Sequence, residues 1–210
     1  YLYQNVDRIP DWENSYTLNE SAIQVSKNSA RANLFMGVEL YNQYQDESDP
    51  EVRQELVERA SNYFERSLEI YPDYSSALKM KAGILGAQFT LDQDLNALLE
   101  GFYQILQKQN VPYIKEFMDY VEGRSWTDKD KILQFYHRIG FEYYYQNLGN
   151  RTLALEYLNR AYNLDRGAPV ILRDLALVNE KINPSQARIY AVNALKHYPQ
   201  DVNLQRIAGK

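Results

Sequence analysis

The strongest constraint on this chain is a helical hydrophobic period that runs almost from end to end and is cut at short intervals by helix breakers. In LALEYLNRAYNLD (153–165), Leu155, Leu158 and Tyr162 share one face with Ala154 and Ala161, while Glu156, Asn159 and Arg160 point away, as an amphipathic helix requires. The same period predicts helices at about 13–27, 30–45, 51–71, 74–87, 92–109, 111–123, 128–147, 151–165, 168–181, 184–198 and 201–208. Breakers fall between them: Asp49-Pro50, Tyr71-Pro72-Asp73, Val111-Pro112, Gly149-Asn150, Gly167, Asn183-Pro184 and Tyr198-Pro199. With 9 Gly and 7 Pro in 210 residues, the chain lacks the turn formers of an all-β protein. The connections are short, so consecutive helices are expected to pack antiparallel.

Within this helical array, small residues return at fixed places. Gly37 sits in one helix, and the next carries Ala60, Phe64, Ser67 and Pro72 as a small–large–small–stop series. Leu78 and Ala82 open a second block, whose second helix (Leu98, Phe102, Ile105) keeps the large residues but not the small ones. A third block reads Tyr136, Ile139, Gly140 and Tyr143, then Ala154, Leu158 and Ala161; a fourth reads Leu172, Leu175 and Ala176, then Ala187, Ala191, Ala194 and Pro199. Small residues at facing places let two helix backbones approach closely, and the proline stops the second helix.

The series resembles the tetratricopeptide repeat (TPR), a helix pair of about 34 residues, over roughly 30–210. The implied fold is all-α, a TPR-like α-solenoid of antiparallel helix pairs, irregular around 88–127. The expected organisation is a capping segment and helix at 1–28, repeats at 29–110, an irregular helical connector at 111–127 and repeats at 128–210. Two details stand out: the loop YQDESDPEV is longer than a standard repeat turn, and the helix at 111–123 has no partner in the scheme.

Composition narrows the function. The chain has no cysteine and only two histidines, His137 and His197, so thiolate chemistry and a His-rich metal centre are not expected. A net charge of −5 argues against nucleic acid, which needs a cationic surface. Charge is uneven: residues 1–150 carry 14 Lys+Arg against 23 Asp+Glu, residues 151–210 carry 9 against 5. No phosphate loop, zinc-protease, nucleophile-elbow or EF-hand motif is present. The acidic run Asp46-Glu47-Ser48-Asp49 lacks the ligand spacing of a calcium loop. The expectation is a non-enzyme with no metal and no cofactor, whose partner is a protein or peptide.

In TPR proteins the first helix of each repeat lines a concave face, at positions 2, 5, 9 and 12 of the repeat. The resemblance places Arg31, Leu34, Val38 and Tyr41 there, then Ser76, Lys79, Gly83 and Gly86, then Gln134, His137, Phe141 and Tyr144, then Val170, Arg173, Leu177 and Glu180. Lys79, His137 and Arg173 are successive potential cations beside aromatics. With Arg138, Phe141 and Tyr144 they form a candidate peptide-binding groove for an acidic segment or a terminal carboxylate. The chaperone-type carboxylate clamp is not expected, because its places hold Leu34, Val38, Met80 and Gln134, with only Arg138 matching. The aromatic run Phe141, Tyr143, Tyr144 and Tyr145 reads as core and rim, with sugar stacking as the alternative.

The first forty residues carry a second resemblance. Arg8, Asp11, Trp12, Leu18, Ala22, Asn28, Ser29, Ala30, Arg31 and Gly37 match the junction between the membrane region and the TPR tail of multi-spanning glycosyltransferase-like proteins. Lys27 replaces the usual proline there. The resemblance implies a periplasmic tail tethered to the inner membrane through a segment upstream of Tyr1, with the chain a fragment or processed product. The alternative is a free-standing adaptor or assembly factor, cytoplasmic or lipid-anchored.

Overall fold

A computed structural model describes residues 14–209. It is helical throughout, with no strand among the described residues. The helices are α1 (Ser15–Val25), α2 (Ala30–Asp46), α3 (Pro50–Ile70), α4 (Ser75–Asp92), α5 (Leu95–Leu106), α6 (Pro112–Glu122), α7 (Lys129–Tyr136), a π-helix π1 (His137–Asn147), α8 (Arg151–Leu164), α9 (Pro169–Asn179), α10 (Pro184–Ala194) and α11 (Val202–Ala208). Contacts divide the chain into two compact units, 1–117 and 118–210, with the boundary inside α6.

Side-chain caps place the helix starts. Asp49, Asp94, Asp128, Asn150, Asn183 and Asp201 each accept hydrogen bonds from backbone N–H groups of the turn that follows, worth about 1 kcal/mol apiece. Proline follows the cap in α3 and α10, at Pro50 and Pro184, where its missing N–H costs nothing. These caps also correct two expectations. Helix α2 continues to Asp46 and α3 begins at Pro50, so the long loop shrinks to Glu47–Asp49, with Glu47 Oε1 accepting from the Ser48 and Asp49 amides. Helix α4 runs past residue 87 to Asp92, which carries Phe89 into the core at 2% exposure, and it ends where Gln93 turns left-handed at φ 58°.

In the first unit, α2 packs most closely on α3, α3 on α4, and α4 on α5; α2 also meets α4. Helix α2 thus touches both its own partner and the first helix of the following pair, as in a stack of helix pairs. The core of the first pair includes Leu34, Met36, Leu40, Leu56, Val57, Ala60, Phe64 and Ile84. Gly37 is the close-approach point: a Cβ there would lie 2.6 Å from the Phe64 ring. Across the same seam the Ser67 hydroxyl donates to the Ala30 carbonyl at 2.8 Å.

The second pair does have its small residue. Gly101 of α5 lies against Leu85 of α4, where a Cβ would stand 2.6 Å from Leu85 Cδ1. The unpartnered helix of the repeat scheme is accounted for as well. Tyr113 and Phe117, in the first half of α6, cover Gly86, and Phe117 meets the Phe89 and Phe102 rings edge-on at 6.1 and 6.0 Å.

The second unit packs π1 on α8, α9 on α10, and α11 on α10 and α9. Its core includes Tyr136, Ile139, Tyr157, Leu158, Ala161, Leu175, Ala176, Ala187 and Ala191. The expected regular helix over 128–147 changes at His137 into π-helix, closed by Leu148 N–H donating to the Tyr143 carbonyl at 3.1 Å. The wider turn accompanies an aromatic seam in which Tyr143 meets Tyr144 at 5.2 Å and Tyr144 stacks on Tyr157 at 5.6 Å.

Candidate functional site

The residues expected to line a peptide groove fall into different environments. Lys79, in the first unit, is exposed. In the second unit, Phe141 and Tyr144 are buried at 4% and 3% exposure, so they build the core; burial pushes the Tyr144 hydroxyl up to about 12. Arg138 is half-buried.

His137 and Arg173 come together around one buried carboxylate. Asp174 of α9 is fully buried, and its Oδ2 lies 2.5 Å from His137 Nδ1 of π1. Arg173 stands 4.0 Å from Asp174 Oδ1, an oxygen with no hydrogen-bond partner. Arg173 Nε itself donates to Asp201 Oδ2 at 2.8 Å. On the far side of the imidazole, Nε2 is 3.3 Å from Glu142, and the ring stacks on Phe141 at 5.7 Å.

The bond to Asp174 holds the His137 pKa above its ordinary value, with help from the Asp174 and Glu142 charges and against the burial of the ring. Burial pushes the Asp174 carboxyl up, and His137 and Arg173 pull it back. Arg206 also forks onto Glu180. Ion pairs therefore tie π1 to α9, α9 to the N-cap of α11, and the C-cap of α9 to α11 itself. In this unit the predicted cations serve first as struts between neighbouring helices.

A second polar cluster surrounds Tyr136. Tyr136 donates to Glu122. Arg160 donates to the Tyr136 hydroxyl at 2.9 Å, to Glu122 at 2.9 Å and to Asp119 at 2.5 Å. Arg160 and Glu122 are 18% exposed and Asp119 71%, so the half-buried guanidinium is matched by carboxylates from α6.

An open groove of about 570 Å³ lies in the first unit, between α3 and α5. Leu78, Lys81 and Leu85 of α4 form its floor. Glu65, Leu68 and Glu69 of α3 make one wall, and Ala97, Glu100, Gly101, Gln104 and Ile105 of α5 the other, with Pro72 and Lys108 also lining it. The missing side chain at Gly101 leaves the α5 wall shallow where it meets Leu85. Both cations are engaged: Lys81 donates to Ser61 Oγ at 3.1 Å and to Glu65 at 2.5 Å, and Lys108 donates to the Pro72 carbonyl at 3.1 Å.

Sequence reasoning overlooked this groove because it followed first helices, and the walls here belong to two second helices. The available signal was Gly101, a glycine inside an otherwise strongly amphipathic helix, one residue before the buried Phe102.

The N-terminal junction residues divide. Arg8, Asp11 and Trp12 lie outside the described residues. Asn28 Oδ1 accepts from Arg66 at 2.8 Å, Ser29 caps α2, and Gly37 meets Phe64. Starting a helix pair is reason enough for these three residues.

No family model matches the sequence, and no curated protein matches it. Among solved structures, the chain is similar to the crystal structure of YrrB, described as a TPR protein with an unusual peptide-binding site. The identity is 13% and the TM-score 0.37, over 91% of this chain and 98% of that one.

Proposed function

We propose that this chain is a non-catalytic protein-interaction domain that holds a segment of a partner protein on its helix pairs. The observation that carries the reading is the groove between α3 and α5, about 570 Å³, with Leu78 and Leu85 at its floor beside the paired Lys81 and charged side chains on its walls. A concave apolar site with a few placed polar groups is what a side-chain-bearing ligand needs. A photo-crosslinking residue at Gln104 tests it in the source cells. A discrete protein adduct that disappears in the Ala97→Trp variant is expected. Adducts only from probes at Lys79 or Arg173 would move the site to the first-helix face, and adducts from none of the three would overturn the interaction reading.

The acidic-peptide role of His137 and Arg173 is a second reading, supported by their convergence at the α9 face. It requires a partner carboxylate to replace Asp201 on Arg173. Loss of acidic-peptide binding in Arg173→Glu supports it, and unchanged affinity removes Arg173 from the site.

The N-terminal resemblance supports a further proposal: the parent protein is a multi-spanning membrane protein, with this domain its periplasmic tail. No helix among the described residues is long and apolar enough to cross a membrane, so the spans would lie in a segment outside this chain. An antibody to the domain should find a band far above 24.7 kDa in the membrane fraction. A band near that mass outside the membrane fraction favours a free-standing adaptor.

A further inference from the structure

The groove between α3 and α5 also carries a charge pattern that selects its occupant. Its carboxylates stand on both walls, Glu65 and Glu69 on one and Glu100 on the other. The Glu65 and Glu69 side chains are 55% and 64% exposed. Each shows one ion pair, Glu65 through Oε1 to Lys81 and Glu69 through Oε2 to Arg66, while an ionised carboxylate has room for several donors. The two groove cations are already engaged. Lys81 is only 15% exposed and tied down by Glu65 and Ser61, and Lys108 is turned onto the Pro72 carbonyl. The whole first unit shares the sign, with 10 Lys+Arg against 18 Asp+Glu. An approaching cation therefore meets acceptors on both sides of Leu78 and Leu85, inside an attractive field.

Resting on the interaction reading above, we infer that the groove takes a cationic amphipathic segment of a partner protein. Apolar side chains of the segment enter between Leu68, Leu85 and Ala97. Lys or Arg side chains on its flanks reach Glu65 and Glu69 on one wall and Glu100 on the other. An acidic segment places like charges together in the same volume, which disfavours it.

The test uses the full chain and three labelled amphipathic peptides with one apolar pattern, whose polar positions are Lys/Arg, Gln or Glu. Fluorescence anisotropy should rank the basic peptide about tenfold or more above the Gln peptide, with the Glu peptide weakest. Its affinity should fall steeply as salt is raised from low to physiological concentration. The double variant Glu69→Lys/Glu100→Lys, with both changes on exposed positions, should reverse the ranking while keeping the circular dichroism spectrum. Ala97→Trp should weaken all three peptides.

Equal binding of the three peptides, or basic-peptide binding indifferent to both variants, overturns the inference. So does binding of none of them; the Gln104 crosslink then still decides independently whether the groove holds a protein at all. Sedimentation showing self-association that Ala97→Trp abolishes would assign the groove to a second copy of this chain instead.

Discussion

The two units use one helix-pair scheme and spend their charges differently. The first carries 10 Lys+Arg against 18 Asp+Glu and keeps carboxylates on the walls of an open groove. The second carries 13 against 10 and directs its charged groups at one another: His137 to Asp174, Arg173 to Asp201, Arg160 to Glu122, Arg206 to Glu180. Glu65 and Glu69 also hold one ion pair each, but on side chains 55% and 64% exposed, where further donors have access, whereas Asp174 is fully buried and out of a ligand's reach. Recognition is therefore assigned to the first unit and internal bracing to the second. Net charge or the position of a cation within a repeat would have suggested the opposite.

The largest expected effects test whether both units are close-packed to the same degree. Phe64→Ala and Leu158→Ala each remove a fully buried side chain at a glycine seam. They should cost about 3–5 and 2–5 kcal/mol respectively in denaturant unfolding. A much smaller loss in either would show that its seam relaxes to fill the hole.

Next in size are the seams themselves. Gly37→Ala places a methyl 2.6 Å from the Phe64 ring, against 3.1 Å from Leu158 Cγ for Gly140→Ala. The first should destabilise by about 1–3 kcal/mol. The second should cost less, because alanine's better helix propensity offsets part of a milder clash. Equal losses would remove the distinction between the seams.

The pH response should come from the second unit. His137 is held above its ordinary 6.5 by Asp174, so its protonated form stabilises the folded state. That contribution is full below pH 6.5 and is lost as pH rises through the raised value. Asp174→Asn should return the His137 titration, followed by NMR, toward 6.5 and flatten the fall in Tm above that pH. Glu142 and Arg173 also face the pair, so Glu142→Gln is the control that should move the titration less. An unchanged titration in Asp174→Asn would show that the strut does not hold the proton.

Arg206→Ala should change least. Arg206 is 57% exposed and its partner Glu180 30%, so water and salt screen the ion pair, and the denaturation midpoint should not move measurably. A clear loss would make this pair part of the bracing after all.

Much of the architecture was legible because it rests on local rules. The breakers Asp49-Pro50, Gly149-Asn150 and Asn183-Pro184 mark the starts of α3, α8 and α10, and the repeat scheme follows Gly37, Ala60 and Phe64; the start expected at 92 falls inside α4, and Asp94 caps α5. The long loop was misjudged because residues 44–46 carry no breaker, so α2 simply continues. The π-turn of π1 was not legible: it belongs to a seam in which Tyr144 must stack on Tyr157, a residue of the following helix. The candidate cations were identified by repeat position, but their partners were not. Asp174 is adjacent to Arg173 in sequence and yet bonds His137, 37 residues away.

The sequence by itself determined that this chain is a series of amphipathic helices in pairs, since period, caps and breakers act within a turn or two of backbone. Only the tertiary structure decided which charges face solvent and which face each other. Burial and ion pairing depend on residues brought close by packing: Gly101 lets Leu85 approach, Lys81 is tied down beneath Glu65, and Asp174 sits buried against His137 of another helix.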